Sequence, residues 1–239
     1  MARRVPEGPP PDPAVQKLRV RYAKRGRLRF TSTRDFQRAL ERAVRKAGLP
    51  MAYSAGFHPH PRISYANAAP TGAASEAEYV EISLTQVVDP ATVVATLDAA
   101  LPAGLDVVEV VQAPPPPSTL ADELQASVWV MDFRGADPRQ VASAAVALLA
   151  VEELRVTRMM KQGPRELDVR AALVGIEGPA ADGGAQIVTT VRHTVPTIRP
   201  EEIWTALRAV TGVDLPRPVS TRLRQGPLGD DGTVHDPRG

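Results

Sequence analysis

Lys17–Gly48, KLRVRYAKRGRLRFTSTRDFQRALERAVRKAG, changes its apolar period partway along, and that change decides the fold. In KLRVRYA the apolar residues alternate with charged ones, so a pleated strand places Leu18, Val20 and Tyr22 on one face and Lys17, Arg19 and Arg21 on the other. RLRF, after Lys24, Arg25 and Gly26, continues the alternation and predicts a second strand paired to the first across a short turn. From Ser32 the spacing becomes three and four: Phe36, Leu40, Ala43, Val44 and Ala47 form one stripe. Ser32 with Asp35 resembles a capping box, and Gly48 then Pro50 supply the stop, so a helix is predicted over Ser32–Gly48. Its opposite side carries Arg34, Arg38, Arg42, Arg45 and Lys46.

Working outward, Ile63–Ala66 and Glu78–Leu84 read as strands, a helix runs from Asp89-Pro90 to about Leu101, and Leu105–Val111 is a short β-branched strand. The order is βαββαβ, the ferredoxin-like unit. Four prolines, Pro114–Pro117, predict a semi-rigid spacer. Beyond it Ser127–Phe133 reads as a strand, Asp137-Pro138 opens an alanine-rich helix to about Ala150, and Leu154–Met160 is a strand. Leu167–Ile176 and Gln186–His193 read as a strand pair, followed by a helix from Arg199-Pro200 to Val210 and a weak strand at Val219–Leu223. The prediction is an α+β protein of two ferredoxin-like βαββαβ domains in tandem. Residues 1–16 are a disordered lead, 17–113 a basic domain, 114–126 a Pro-rich linker, 127–224 the second domain and 225–239 a disordered tail.

At 239 residues and 43% hydrophobic content, the chain can bury a core in each of two domains. No apolar run approaches the roughly 20 residues of a membrane span, and MARRVPEGPPPDP lacks an apolar h-region, so a cytoplasmic location is expected. With no cysteine, disulfides, thiolate nucleophiles and a cluster held by this chain's own thiolates are excluded. Charge is concentrated: Lys17–Arg62 holds thirteen Lys/Arg against two Asp/Glu, a net +11, whereas the whole chain is +2 and the remainder therefore −9. Such a segment attracts polyanions.

The stretch Gly56–Pro70, GFHPHPRISYANAAP, follows the basic helix. Each histidine precedes a proline, which holds His58 and His60 out of helical geometry and presents their side chains. Gly56, Phe57, His58, His60, Arg62 and Ser64 are the candidate partner or substrate loop, and Arg19, Arg21, Arg27, Arg34, Arg38, Arg42, Arg45 and Arg62 the candidate RNA-binding set. Tyr53, Phe57 and Tyr65 read as core aromatics. Glu76, Glu78 and Glu81 read as salt-bridge partners for the arginines. Two imidazoles could meet a zinc ion, with Glu76, Glu78, Asp35 or His193 completing the set, but no spacing demands it, and no metal or cofactor is expected.

Arg27–Glu81, containing RLRFTSTRDFQRALERAVRKAGLPMAYSAGFHPHPRISYANAAPTGAASEAEY, resembles the signature of the radical SAM-linked protein family, and Lys161, Gly163 and RELDVRAAL resemble its downstream region. The resemblance spans about Lys17 to Arg224. It implies an accessory protein found beside, or fused to, radical SAM proteins, and often near genes for an RNase E-type ribonuclease. In NAAPTGAASE, Ala69, Ala73 and Ala74 stand where those relatives carry bulkier apolar residues. A fainter similarity, to CRISPR-type RNA-processing proteins, implies a different role: His58 or His60 as general base toward a 2′-hydroxyl, with Arg62 or Arg34 stabilising phosphate charge. The expected function is a non-catalytic RNA-binding or substrate-presenting partner of a radical SAM enzyme, with a metal-free endoribonuclease and a protein-only scaffold as alternatives.

Overall fold

The computed structural model describes residues 11–115, 119–179 and 184–237. Among them, residues up to Thr71 and from Ala77 to Leu120 form one compact unit, and Gly72–Glu76 with Ala121–Pro237 form the other. The fold is α+β with a large, mostly antiparallel sheet.

The first unit runs β1 (Gln16–Lys24), a 3-10 helix (Gly26–Phe30), α1 (Thr33–Lys46), β2 (Ile63–Ala66), β3 (Ala74–Leu84), α2 (Pro90–Ala100) and β4 (Val107–Gln112). Its strands lie in the order β4-β1-β3-β2, with β1 antiparallel to β4 and β2 antiparallel to β3. Alternation on β1 and β3 gives Leu18, Val20, Tyr22, Val80, Ile82 and Leu84 to one core, which Phe36, Leu40, Ala43 and Val44 of α1 and Val93 and Leu97 of α2 complete. Burying each of the large side chains stabilises the unit by about 1.5–3 kcal/mol. Tyr22 stacks on Phe36 at 4.3 Å, and Tyr65 meets Phe36 edge-on at 6.3 Å, so the core expectation holds for Tyr65. Ser32 caps α1, its Oγ accepting from the Asp35 N–H at 3.2 Å.

RLRF is not the second strand of a hairpin. Gly26 turns the chain at φ +53°, the Leu28 N–H bonds back to the Arg25 carbonyl at 3.0 Å, and the segment closes as a 3-10 turn. The edge of β1 it was expected to cover is taken by β4. Alternation over four residues cannot distinguish a short strand from a 3-10 turn when a left-handed glycine precedes it.

At the division, α3 (Leu120–Glu123) falls inside the expected Pro-rich linker, and both Leu120 and Leu124 are buried. Of the four linker prolines, Pro116 and Pro117 lie outside the described residues. The second unit continues with β5 (Ala126–Asp132), α4 (Pro138–Ala150), β6 (Arg155–Met160), β7 (Gly163–Asp168), α5 (Val169–Ala172), β8 (Leu173–Glu177), β9 (Gln186–Arg192), α6 (Pro200–Thr211) and β10 (Val219–Gly226). The order β10-β5-β9-β8 assembles four strands, and the start of β3 adds to β10 with Ala74 opposite Thr221 and Ser75 opposite Arg222.

The strand expected over Leu167–Ile176 is two strands. Asp168 accepts from the Ala171 N–H at 3.2 Å and caps the single turn α5, so β7 pairs with β6 in a separate two-stranded sheet while β8 pairs with β9. That outlying hairpin is fastened to α6 through Arg158, whose Nε donates to Glu202 at 2.8 Å and whose Nη2 donates to the Thr197 carbonyl at 2.9 Å.

Residues 225–237, expected to be disordered, are ordered. β10 extends to Gly226, Leu228 bridges Val234, and Val234 packs on Ala126 and Val128. A Cβ on Gly226 would lie 2.1 Å from the His235 backbone carbonyl, so only glycine fits beneath the returning chain. Gly226→Ala is expected to displace 227–237 at a cost of about 1–3 kcal/mol. Hydrogen exchange confined to unchanged rates at Gly229 and His235 amides, both bonded within this turn, would contradict it.

Candidate functional site

Helix α1 presents the cationic surface because its apolar and basic residues repeat at the same spacing on opposite sides. Phe36, Leu40, Ala43 and Val44 are buried, whereas Arg34, Arg38, Arg42, Arg45 and Lys46 are exposed. Arg45 lies 3.6 Å from Glu41, an exposed i,i+4 pair that competes weakly with solvent. Among the described residues Arg34, Arg38 and Arg42 have no carboxylate within ion-pairing distance. Arg27 is exposed on the 3-10 turn that leads into α1, and Arg29 beside it holds its guanidinium 4.7 Å from the centroid of the Phe30 ring.

Three of the eight expected RNA-binding arginines lie elsewhere, Arg19 and Arg21 on β1 and Arg62 on the histidine ribbon. Arg19 is 1% exposed; its Nη2 and Nε donate to Glu81 Oε1 at 2.9 and 3.2 Å, and Lys17 pairs with the other oxygen of the same carboxylate. It is a buried structural cation. The pleat does put Lys17, Arg19 and Arg21 on one face, but β1 is an interior strand, and the carboxylate of Glu81 on β3 meets that face. Arg21 is half-buried and sits opposite Glu109 of β4. Lys24 is also buried, its Nζ donating to the Ala69 carbonyl at 3.2 Å. The Ala69 N–H donates to Glu78 at 2.9 Å, so the NAAPTGA segment is held by buried charged side chains, with Ala69 and Ala73 both inside. Small alanines suit a loop fixed by polar contacts at its backbone.

The histidine loop is the tip of an irregular β-ribbon. Tyr53 bridges Pro61, the Ser54 N–H bonds the His60 carbonyl at 2.9 Å, Ser54 Oγ accepts from the His60 N–H at 3.1 Å, and the Arg62 N–H bonds the Ala52 carbonyl at 2.8 Å. Gly56 turns the chain at φ +136°, a conformation that side-chain-bearing residues rarely adopt. His58, His60 and Arg62 are exposed, Ser64 is exposed on β2, and neither imidazole makes a hydrogen bond or ion pair among the described residues. Phe57 is 61% exposed and Tyr53 lies at the surface, which corrects the core reading of both. Loop residues with no buried ribbon partner have no core to enter.

Sequence reasoning overlooked Phe30, 59% exposed beside the cationic stripe. The apolar end of RLRF looked like a strand's inward residue, and only the 3-10 turn exposes it. His193 of the second unit, weighed in the sequence only as a possible zinc ligand, sits instead in a buried hydrogen-bond pair. His193 Nδ1 lies 2.5 Å from the Leu124 carbonyl, which can only accept, so Nδ1 carries the proton and Nε2 accepts from Ser127 Oγ at 2.7 Å. Burial pushes its pKa down to about 4, with Arg222 acting in the same direction and the Leu124 bond opposing. Ser127 is 1% exposed, so this Ser–His pair has no route to substrate and is structural. No group of three or more His, Cys, Asp or Glu among the described residues could hold a metal ion, and no helix among them is long and apolar enough to cross a membrane.

Fold and surface together define an α+β protein with an exposed cationic helix and a stiff histidine-bearing ribbon. The chain belongs to a family described as uncharacterized protein conserved in bacteria (DUF2344), whose profile matches residues 17–200. No curated protein matches it.

Proposed function

We propose that this protein is a non-catalytic RNA-binding, substrate-presenting partner of a radical SAM enzyme, built on two ferredoxin-like halves. The observation that carries the reading is the exposed stripe Arg34, Arg38 and Arg42 with no acidic partner among the described residues, extended by Arg27 and Arg29. Arg19 and Lys24 of this unit are buried and hydrogen-bonded, whereas the stripe is exposed and has no carboxylate partner among the described residues. Uncompensated arginines at successive helical turns suit a phosphate backbone. The fold element of the proposal is supported by the strand orders β4-β1-β3-β2 and β10-β5-β9-β8, which repeat one pattern. The radical SAM partner rests only on the resemblance of Arg27–Glu81 and of the downstream Lys161, Gly163 and RELDVRAAL. The ribbon tip, with His58, His60 and Arg62 exposed on a backbone fixed by Ser54, is the surface assigned to that partner, since a preorganised loop loses little entropy on docking.

Binding of single-stranded RNA should weaken with salt. Five phosphate contacts give a slope of log K against log salt of about −3.5, and Arg38→Glu with Arg42→Glu should flatten it by about 1.4 while lowering affinity on the order of 25-fold at 0.1 M salt. Both side chains are exposed, so thermal stability should hold. Unchanged affinity in the folded double variant would remove the RNA reading. Cleavage of RNA in EDTA that disappears in His58→Ala with His60→Ala would replace it by the endoribonuclease.

A further inference from the structure

The 3-10 turn ahead of α1 shows one feature that phosphate binding does not need. Phe30 is 59% exposed, although the chain has only four phenylalanines and could have left none at this surface. The ring is not loose. Arg29, the preceding residue, places its guanidinium 4.7 Å from the ring centroid, and the Thr31 N–H bonds the Leu28 carbonyl at 2.9 Å, fixing the backbone on either side. Arg27 stands three residues before it and Arg34 four residues after, both exposed cations. An exposed aromatic, oriented by an arginine and flanked by unpaired charge, is the arrangement that takes a stacked base beside a tracked phosphate backbone.

We infer that Phe30 is a base-stacking platform and that the surface therefore selects single-stranded over duplex RNA. This rests on the RNA-binding reading above and adds to it the conformation of the ligand. Bases within a duplex are already stacked on their neighbours and cannot lie on a side chain, whereas every base of a single strand offers a π-face. Arg29 is a positioning residue here: its guanidinium holds the ring for the incoming base. Phe36, six residues on, cannot share the role because it is buried in the core against Tyr22.

The test uses the full chain and a fluorescently labelled oligouridylate of about a dozen nucleotides, with a duplex of equal length as competitor. Phe30→Ala is expected to weaken single-strand binding on the order of 10-fold or more, the affinity carried by one stacked base. Phe30→Leu should lose nearly as much, because it keeps apolar area without a π-face, and Phe30→Trp should restore binding. The salt slope should match that of the unaltered chain in all three, since no phosphate contact is lost. Melting temperatures should also match, which separates this from a structural effect. If Phe30→Ala binds as the unaltered chain does while Arg38→Glu with Arg42→Glu weakens binding, the surface is electrostatic only and the stacking role is wrong although RNA binding stands. If Phe30→Leu retains full affinity, the residue is an apolar contact and the inference fails. Equal affinity for single strand and duplex overturns the selectivity, and no binding to either by the unaltered chain removes the reading on which it rests.

Discussion

Glu81→Ala should cost the protein about 3–5 kcal/mol of folding stability, because it removes a hydrogen-bonded carboxylate from a buried cation. Arg19 and Glu81 are 1% and 3% exposed, and both bonds from the Arg19 guanidinium to Glu81 fall on one carboxylate oxygen while Lys17 pairs with the other. Glu81→Gln keeps the shape and removes the charge, so it should lose most of the same amount. Lys17 is partly solvated, and Lys17→Ala should cost about 1 kcal/mol or less, as surface pairs do. Replacing both buried partners, Arg19→Met with Glu81→Leu, should recover much of the loss, since neither charge then needs solvation. Urea titration of the four variants measures this directly. A loss below about 1 kcal/mol for Glu81→Ala would mean that the Glu81 carboxylate does not hold the Arg19 charge in the folded protein. The outcome also bears on function: if Arg19 is structural, Arg19→Met with Glu81→Leu should keep the RNA salt slope of the unaltered chain.

Legibility in the sequence follows how many constraints each residue satisfied at once. Helix α1 was readable because cap, period and stop agreed over Ser32–Gly48, and its exposed basic side follows from its buried apolar one. The strands Ile63–Ala66 and Glu78–Leu84 were likewise readable from alternation. The burial of Arg19 is invisible to alternation, which reports which face of a strand a residue occupies and cannot say whether a carboxylate on the neighbouring strand meets it. Glu81 is 62 residues away in sequence, a separation no local pattern reports. The split of Leu167–Ile176 was hidden because Asp168 caps a single turn in the middle of an apolar run, and a helix of one turn has no period to detect. The tail from Gln225 has the composition of a disordered segment, yet Gly226 serves close packing and Val234 supplies the apolar anchor. Glycine and proline mark turns as readily as they mark disorder. Of the candidate site, the cationic residues of α1 were evident, and the exposure of Phe30 and Phe57 was not, because exposure of an aromatic depends on what the fold fails to place above it.

Lowering the pH should destabilise the second unit through His193 by about 3 kcal/mol. The imidazole is held neutral by burial, which pushes the pKa down to about 4 against the opposing bond from Nδ1–H to the Leu124 carbonyl, while Nε2 accepts from Ser127. In the unfolded chain the ordinary value is about 6.5, so between those limits the unfolded state binds a proton that the folded state does not. Stability therefore rises with pH across the window and is lost as the pH falls from about 6.5 to about 4, with no further contribution below. Protonation is also opposed structurally, since a charged imidazole would turn Nε2 into a donor facing the Ser127 hydroxyl and would add a second cation near Arg222, which is 4% exposed and lies 4.7 Å from the Trp129 ring. Carboxylates titrate in the same window, so the informative quantity is a difference. His193→Gln retains one donor and one acceptor, should be less stable near neutrality through imperfect geometry, and should show a shallower slope of stability against pH. The unaltered chain minus the variant should fall by about 3 kcal/mol from pH 6.5 to pH 4 and be flat above pH 7.5. Parallel curves across that range would mean that His193 titrates alike in both states and that burial does not hold it neutral.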